Sequence, residues 1–452
     1  MSSADLNRGR DLLAAGLADL GARALVIVAG SAGDPDIAPF ARGAHIRDCF
    51  VIAPGGAPPK FGYLSPMERG EAAATGLDLL TPEALEVERL IQEGAEPPRF
   101  WAEVLAKGLA LTGLLPDVDS DRLALAGHAP VGVIHAATQD LGRRGWSFVA
   151  GNDLARRFRQ EKTEEEIAEI RRVAAGTCAA FHRVAELLAN ATPRPEGDLH
   201  LEGEPLTVTR LRREVARTLA EHGLEQPDGN ILAPGEEGAM PHSTGTPDRV
   251  LRAGESLVVD LFPKGRLFAD CTRTFCVGPP PPPLAAAHEA VRGALAQAHE
   301  AARPGVRGWT IQEQTCALLS ARGYRTPITH PGTTEGYVHG LGHGVGFELH
   351  EFPSFRKHAG AEAVLRPGDV FTLEPGLYQV DEGWAVRLED LVVLGAEGLE
   401  NLTPLPYELD PRAWQAELGP SRPDLVPGRP DLGLSRSDRG PGGSDLDPGR
   451  PD

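Results

Sequence analysis

The chain has 452 residues, more than one compact core usually holds, so two domains are expected, with core enough to stand without disulfide or metal staples. Its 41% hydrophobic and 24% charged residues mark a soluble globular protein, and its longest apolar run, Ala24 to Ala29, is far too short to cross a bilayer. With 45 basic against 64 acidic residues the formal charge is −19, which repels phosphate backbones and excludes nucleic acid as a partner while suiting a chain that gathers cations.

In chain order, helical spacing over Asp5 to Leu20 is followed by β-type runs at Ala24 to Val28 and Cys49 to Ala53, then by alternating strand and helix signals. These predict a small N-terminal α/β domain over residues 1–155. Thr163 and Glu166 form an S/T-x-x-E capping box ahead of Ile167, Ile170 and Val173, so a long helix starts there and opens a second domain, 156–410. That domain mixes a helix over Leu206 to His222 with β-type segments near Leu257–Phe262, Leu267–Phe275, Val370–Leu373 and Val386–Leu394. Without a regular βαβ rhythm the reading is α+β with an antiparallel sheet. The run Pro279–Pro283 is expected to be a stiff extended spacer. From 411 to 452 the chain turns Pro- and Gly-rich and repeats Pro-Gly-Arg-Pro-Asp, which predicts a disordered tail. Five scattered cysteines point to reduced thiols, with Cys271 and Cys276 structural rather than zinc-binding, and Met1–Arg10 carries no signal-peptide core, so a cytoplasmic protein is expected.

The chemistry concentrates in the second domain. Asp260 and Asp270 each sit inside an apolar β-type run, and the two runs are joined by Pro263-Lys264-Gly265. A carboxylate in such a run needs a partner, and a hairpin would bring these two close enough to share a cation; an exposed strand face is the competing reading. The stretch from Tyr337 to Pro353 places His339, His343 and His350 among glycines that let backbone approach a site, although a Gly-rich turn with surface histidines would look the same. Glu374 and Glu389 follow in β-type context, and Arg387 shares strand parity with Glu389 and could hydrogen-bond a carboxylate from behind the ligands. Four carboxylates and one imidazole suit Mn²⁺, Co²⁺ or Zn²⁺ in a two-metal arrangement better than a closed zinc site, which would use thiols.

The ordered set Asp260, Asp270, His343, Glu374, Glu389 resembles the five metal ligands of the pita-bread-fold metallopeptidases. The string His-Gly-Leu-Gly-His-Gly-Val-Gly-Phe-Glu-Leu-His-Glu-Phe-Pro from His339 is most similar to aminopeptidase P and prolidase. The resemblance covers roughly 160 to 405 and implies a pita-bread catalytic domain behind a creatinase-like N-terminal domain. It also implies two bound divalent ions, with Mn²⁺ ahead of Co²⁺ and Zn²⁺, and substrates that are di- or oligopeptides containing proline. His242, eighteen residues before Asp260, and His350 match family histidines that face the substrate; His339 matches a further one near the pocket. Glu374 would also carry the proton. Asp260 and Asp270 lie ten apart where many relatives have eleven, which shortens the turn around Pro263–Gly265.

By the same resemblance the enzyme would cleave the bond before proline, and a homodimer is expected. Prolidases grip the dipeptide carboxylate with an arginine after the His-Glu-x-Pro string, and Arg356 could serve, but its offset leans the reading to aminopeptidase P with prolidase as the alternative. A lyase or a non-catalytic binding protein on the same fold are the remaining readings.

Overall fold

The run Ala24–Ala29 lies within β1 (Ala22–Ser31), the middle of a six-stranded sheet in a computed structural model that describes residues 3–116, 122–357, 360 and 363–417. With β2 (Arg47–Pro54), β3 (Lys60–Tyr63), β4 (Asp78–Leu80), β5 (Arg122–Ala126) and β6 (Ser147–Ala150), the strand order is β4-β3-β2-β1-β5-β6. β1 runs antiparallel to β2 and parallel to β5. Its unbroken apolar sequence follows from burial on both faces: Leu25, Ile27 and Ala29 enter one core, Ala24, Val26 and Val28 the other. The helix Asn152–Gln160 closes this half, with Leu154 and Ala155 in its core and Phe158 stacked on Phe40 at 4.7 Å. The expected boundary after residue 155 therefore falls inside a helix, because a nine-residue element packed through Leu154 and Phe158 gave no break in composition.

The second half starts as the capping box predicts. Thr163 Oγ1 accepts from the Glu166 amide and the Glu166 carboxylate accepts from Thr163 N–H, opening the helix Glu164–Ala189. This helix and Val208–Glu221 share a core with β11 (Leu257–Leu261) and β12 (Cys271–Phe275), which pair antiparallel beside β10 (Ile231–Pro234). Between those helices lies a small ribbon of β7 (Thr192–Pro193), β8 (Leu199–Leu201) and β9 (Glu204–Pro205). A five-stranded antiparallel sheet follows, ordered β14-β13-β15-β18-β19, from β13 (His343–Gly344), β14 (Glu351–Ser354), β15 (Val370–Leu373), β18 (Asp390–Leu394) and β19 (Leu399–Asn401). A hairpin of β16 (Gly376–Gln379) and β17 (Trp384–Arg387) stands beside it, and the helices Pro282–Ala301 and Gly308–Ala321 bury a second core against these strands. The α+β reading with an antiparallel sheet holds. No helix among the described residues is long and apolar enough to cross a membrane, and all five cysteines are free thiols.

Four local expectations change. Leu267–Asp270 precede β12 rather than belonging to it, because the chain bends at the Lys264–Phe268 bridge before entering the strand. Val386–Leu394 is two strands, not one: β17 pairs with β16 and β18 with β15, so the chain changes sheet at Leu388-Glu389. Pro282 and Pro283 are the first turn of a helix, where a missing N–H costs nothing, so only 279–281 are spacer. Residues 411–417 are not tail but a helix whose Trp414 is 1% exposed, packed on Phe275 at 4.9 Å and edge-on to His182 at 5.8 Å; the remainder of that tail, 418–452, lies outside the described residues. Trp414→Ala is expected to cost about 3–5 kcal/mol as a cavity opens, measured by urea unfolding; a loss under about 1 kcal/mol would show that the helix is not part of the core.

Candidate metal centre and substrate cavity

Each candidate ligand sits at a strand or a strand end, which fixes its direction. Asp260 is in β11 opposite Thr272 of β12, Asp270 precedes β12, and His343 is in β13. Glu374 follows β15 with its amide bonded to Leu341 O (2.7 Å), and Glu389 lies at the sheet change with its amide bonded to Thr272 O (3.0 Å). Gly344 lets β13 come this close to its neighbour, since a Cβ there would stand 1.9 Å from Phe352 O.

Asp270, His343 and Glu389 present ligand atoms all within 4.8 Å of one another. His343 Nε2 is also 3.5 Å from Glu374 Oε1 and 3.7 Å from Asp270 Oδ2. Asp260 stands to one side, its Oδ2 accepting from Arg387 Nη2. Arg387 also donates to Thr272 Oγ1 (3.0 Å) and Tyr378 Oη (2.8 Å), and Thr272 Oγ1 donates to Glu389 Oε2 (2.8 Å). Arg387 thus reaches Asp260 from behind the cluster and not Glu389; the break between β17 and β18 removes the parity argument that linked the two.

The electrostatics are those of a cation site. Burial, then the charges of Glu389, Asp260 and Glu374, hold the Asp270 carboxyl well above its usual range. Burial, then Glu374 and Asp260, do the same to Glu389. Glu374 is pushed up to about 8, first by burial and then by Asp260, against the pull of Arg387. His343 is drawn down to about 3 by burial and by His350 beside it, so it is a neutral imidazole with a lone pair to offer. Asp260 Oδ1 and Asp270 Oδ1 are buried without a hydrogen-bond partner, which is costly unless a cation takes them. These residues fit divalent ions. Metal uptake by stripped protein at pH 7 is accordingly expected to release protons, since Glu374 titrating near 8 must lose its proton to act as a ligand. Titration calorimetry in buffers of different ionisation enthalpy checks this, and a buffer-independent heat would contradict it.

The cluster forms the floor of a cavity of about 620 Å³ whose walls carry His242, His339, His350, Arg356 and Arg387. His350 lies over His343, ring centroids 4.2 Å apart, and burial lowers its pKa. His339 is held by Tyr378 Oη (3.1 Å) and by the carbonyl of Gly340 (2.7 Å), and burial takes it down to about 4. Arg356 stands exposed on the wall and contributes to the lowering at His350. Sequence reasoning missed Tyr378, Thr272 and Arg156. Thr272 lies within the named run Leu267–Phe275 and Tyr378 four residues after Glu374, but neither has a charge to draw attention; Arg156, on the helix Asn152–Gln160, reaches the cavity only through the folded arrangement of the two halves.

A family model described as metallopeptidase family M24 matches residues 168–396, slightly more than half of the chain. The chain belongs to this family. Among curated relatives, the probable dipeptidase PepE of Mycobacterium tuberculosis is 33% identical over 264 residues, 58% of this chain and 63% of that protein. The Xaa-Pro dipeptidase of Pyrococcus furiosus is 34% identical over 215 residues, 46% of this chain and 57% of that protein. The chain thus spans less than two thirds of the length of either. Among solved structures, the prolidase from Pyrococcus horikoshii OT3 superposes with a TM-score of 0.68 at 23% identity, covering 89% of this chain and 100% of that one. The X-Pro aminopeptidase from Thermotoga maritima gives 0.63 at 22%, covering 88% and 98%. At these identities the likeness is one of fold, and it extends over nearly the whole length of both neighbours.

Proposed function

We propose that this M24 protein is a dinuclear metal-dependent X-Pro dipeptidase, hydrolysing the peptide bond between an N-terminal residue and proline. The supporting observation is that one cavity brings Asp260, Asp270, His343, Glu374 and Glu389 together with His242, His350 and Arg356 on its walls. The dipeptidase names of the two curated relatives support the shorter substrate, and this reverses the lean toward aminopeptidase P drawn from the offset of Arg356. Asp260 and Asp270 would hold one ion and Asp270, His343, Glu374 and Glu389 the other, some carboxylates bridging, with Mn²⁺ favoured by the hard oxygen donors and Co²⁺ or Zn²⁺ able to replace it. When bound, such ions supply Lewis acidity and lower the pKa of water from about 15.7 toward about 7.

The chain's own groups do the rest. Arg356 takes the free carboxylate of the dipeptide and sets its depth in the cavity. Glu374 accepts the proton of the attacking water, whose oxygen bonds to the carbonyl carbon, and passes that proton to the proline nitrogen as the C–N bond breaks. His242 and His350 donate hydrogen bonds to the tetrahedral oxyanion and to the leaving nitrogen, and His339 steadies the wall beside them through Tyr378. The test is hydrolysis of an X-Pro dipeptide and a matched X-Pro-Y tripeptide by stripped protein re-supplied with Mn²⁺, Co²⁺ or Zn²⁺. Cleavage of the dipeptide alone is expected. Preferred cleavage of the tripeptide would make it an aminopeptidase P, and no cleavage with any metal would overturn the assignment.

A further inference from the structure

The turn that carries His350 is held by a buried ionic network reaching it from outside the metal centre. Glu351, the residue after His350, is fully buried, and its Oε2 accepts from the Glu348 amide at 3.2 Å, closing the turn Glu348–Glu351 around His350. Glu351 Oε1 meets Lys162 Nζ at 2.6 Å, and Lys162 Nζ also donates to the carbonyls of Arg159 (2.8 Å) and Gln160 (2.9 Å). Arg159, 1% exposed at its side chain, gives Nη2 to Glu348 Oε2 and lies 3.8 Å from Glu351 through Nε. The same Nη2 is 3.6 Å from Asp36 of the N-terminal half, itself buried. Gly346 leaves room for this pair, since a Cβ there would stand 2.4 Å from Lys162 Cε and 2.6 Å from Glu351 Oε1 and would push the two side chains aside. Both acids flanking His350 are therefore tied to one short segment, 159–162, that joins the two halves of the chain.

We propose that Arg159 and Lys162 are positioning residues that fix His350 over the reacting bond through Glu348 and Glu351, so that the joining segment, braced by Asp36, sets the catalytic geometry. This rests on His350 facing the scissile peptide, as in the reading above. A bare stabilising role would need no such arrangement. A buried ion pair is on average no more stabilising than a hydrophobic pair of similar volume, whereas here three cation–carboxylate contacts converge on the two residues bracketing one histidine. A shift of about 1 Å in such a group can cost up to about 100-fold in rate.

The experiment separates position from stability with the double variant Lys162→Met/Glu351→Leu, in which neither buried charge is left alone. The Mn²⁺-loaded double variant is expected to keep its unfolding temperature and metal stoichiometry, to lose about 10- to 100-fold in kcat for an X-Pro dipeptide with KM within twofold, and to show a displaced His350 ring signal in ¹⁵N-histidine NMR of the metal-free form. Assignment comes from the signal absent in His350→Gln. A double variant with wild-type kcat and an unmoved His350 signal overturns the proposal. If the double variant does not fold, Arg159→Lys keeps a positive charge but loses the fork that spans Glu348, Glu351 and Asp36, and it must displace the same signal for the proposal to stand. Should the wild type cleave no dipeptide, the functional assignment fails, while the ring signal still decides whether 159–162 positions His350.

Discussion

Asp270→Asn is expected to abolish measurable peptide turnover, a loss of at least about 10³-fold, while making the metal-free protein more stable. The first effect follows because Asp270 is shared in the proposed two-ion arrangement, and losing several kcal/mol of charge stabilisation at about 1.4 kcal/mol per tenfold removes three or more decades of rate. The second follows from the crowding of acids. Burial and the neighbouring Glu389, Asp260 and Glu374 raise the folded-state pKa of Asp270, so the folded protein binds that proton more tightly than the unfolded chain does. Stability linked to this proton is fully present below the unfolded value of about 3.9 and is lost as pH rises toward the folded value. Asparagine carries no charge to titrate, so its advantage should be absent near pH 4 and appear toward neutrality. Urea unfolding in chelator at the two pH values, with metal content and turnover measured alongside, checks both halves. An asparagine variant less stable than wild type at neutral pH in chelator would mean that the carboxylates do not oppose one another.

The same acids explain why the candidate site was legible as a candidate before any coordinates. A carboxylate in an apolar run, such as Asp260 among Leu257, Val258 and Val259, violates the local pattern, and violations of pattern cluster at functional sites. The glycines between His339 and His350 are a second such signal, and at Gly344 the close approach they imply is present. The fold class followed from the loss of βαβ rhythm after residue 156, and the start of the long helix from its capping box. What stayed hidden depends on pairing between distant strands. Nothing in Val386–Leu394 marks the change of sheet at Glu389, because both strands are apolar and buried and differ only in their partners. That change sets the Glu389 amide against Thr272 and leaves Arg387 to Asp260, 127 residues away. The buried ties from Arg159 and Lys162 to Glu348 and Glu351 are hidden for the same reason: the partners lie 189 residues apart in the chain. Trp414 was lost to a compositional boundary, since a seven-residue helix beside a Pro/Gly-rich segment carries too little sequence to announce itself.

Arg387→Met should strongly destabilise the metal-free protein, and the penalty should shrink when metal is added. Arg387 is 6% exposed, and its guanidinium satisfies three groups at once: Asp260 Oδ2, Thr272 Oγ1 and Tyr378 Oη. Methionine fills much of the volume but leaves the Asp260 carboxylate buried without its counter-charge, a loss of about 3–5 kcal/mol. For a chain of 452 residues each kcal/mol shifts the unfolding midpoint by about 1 °C, so a fall of about 3–5 °C is expected in chelator. Divalent ions supply Asp260 with a replacement positive charge, and anything bound only to the folded state adds stability by mass action. Saturating Mn²⁺ should therefore raise the midpoint of the variant more than that of wild type. By the same linkage the folded variant should bind Mn²⁺ more tightly than wild type, the ion recovering the stability that is lost in chelator. Lysine would not rescue it, since one ammonium on a flexible stem cannot span Asp260, Thr272 and Tyr378 together. Thermal scans with and without Mn²⁺ decide the matter. If the methionine variant unfolds at the wild-type temperature in chelator, Arg387 is not what holds Asp260 in place.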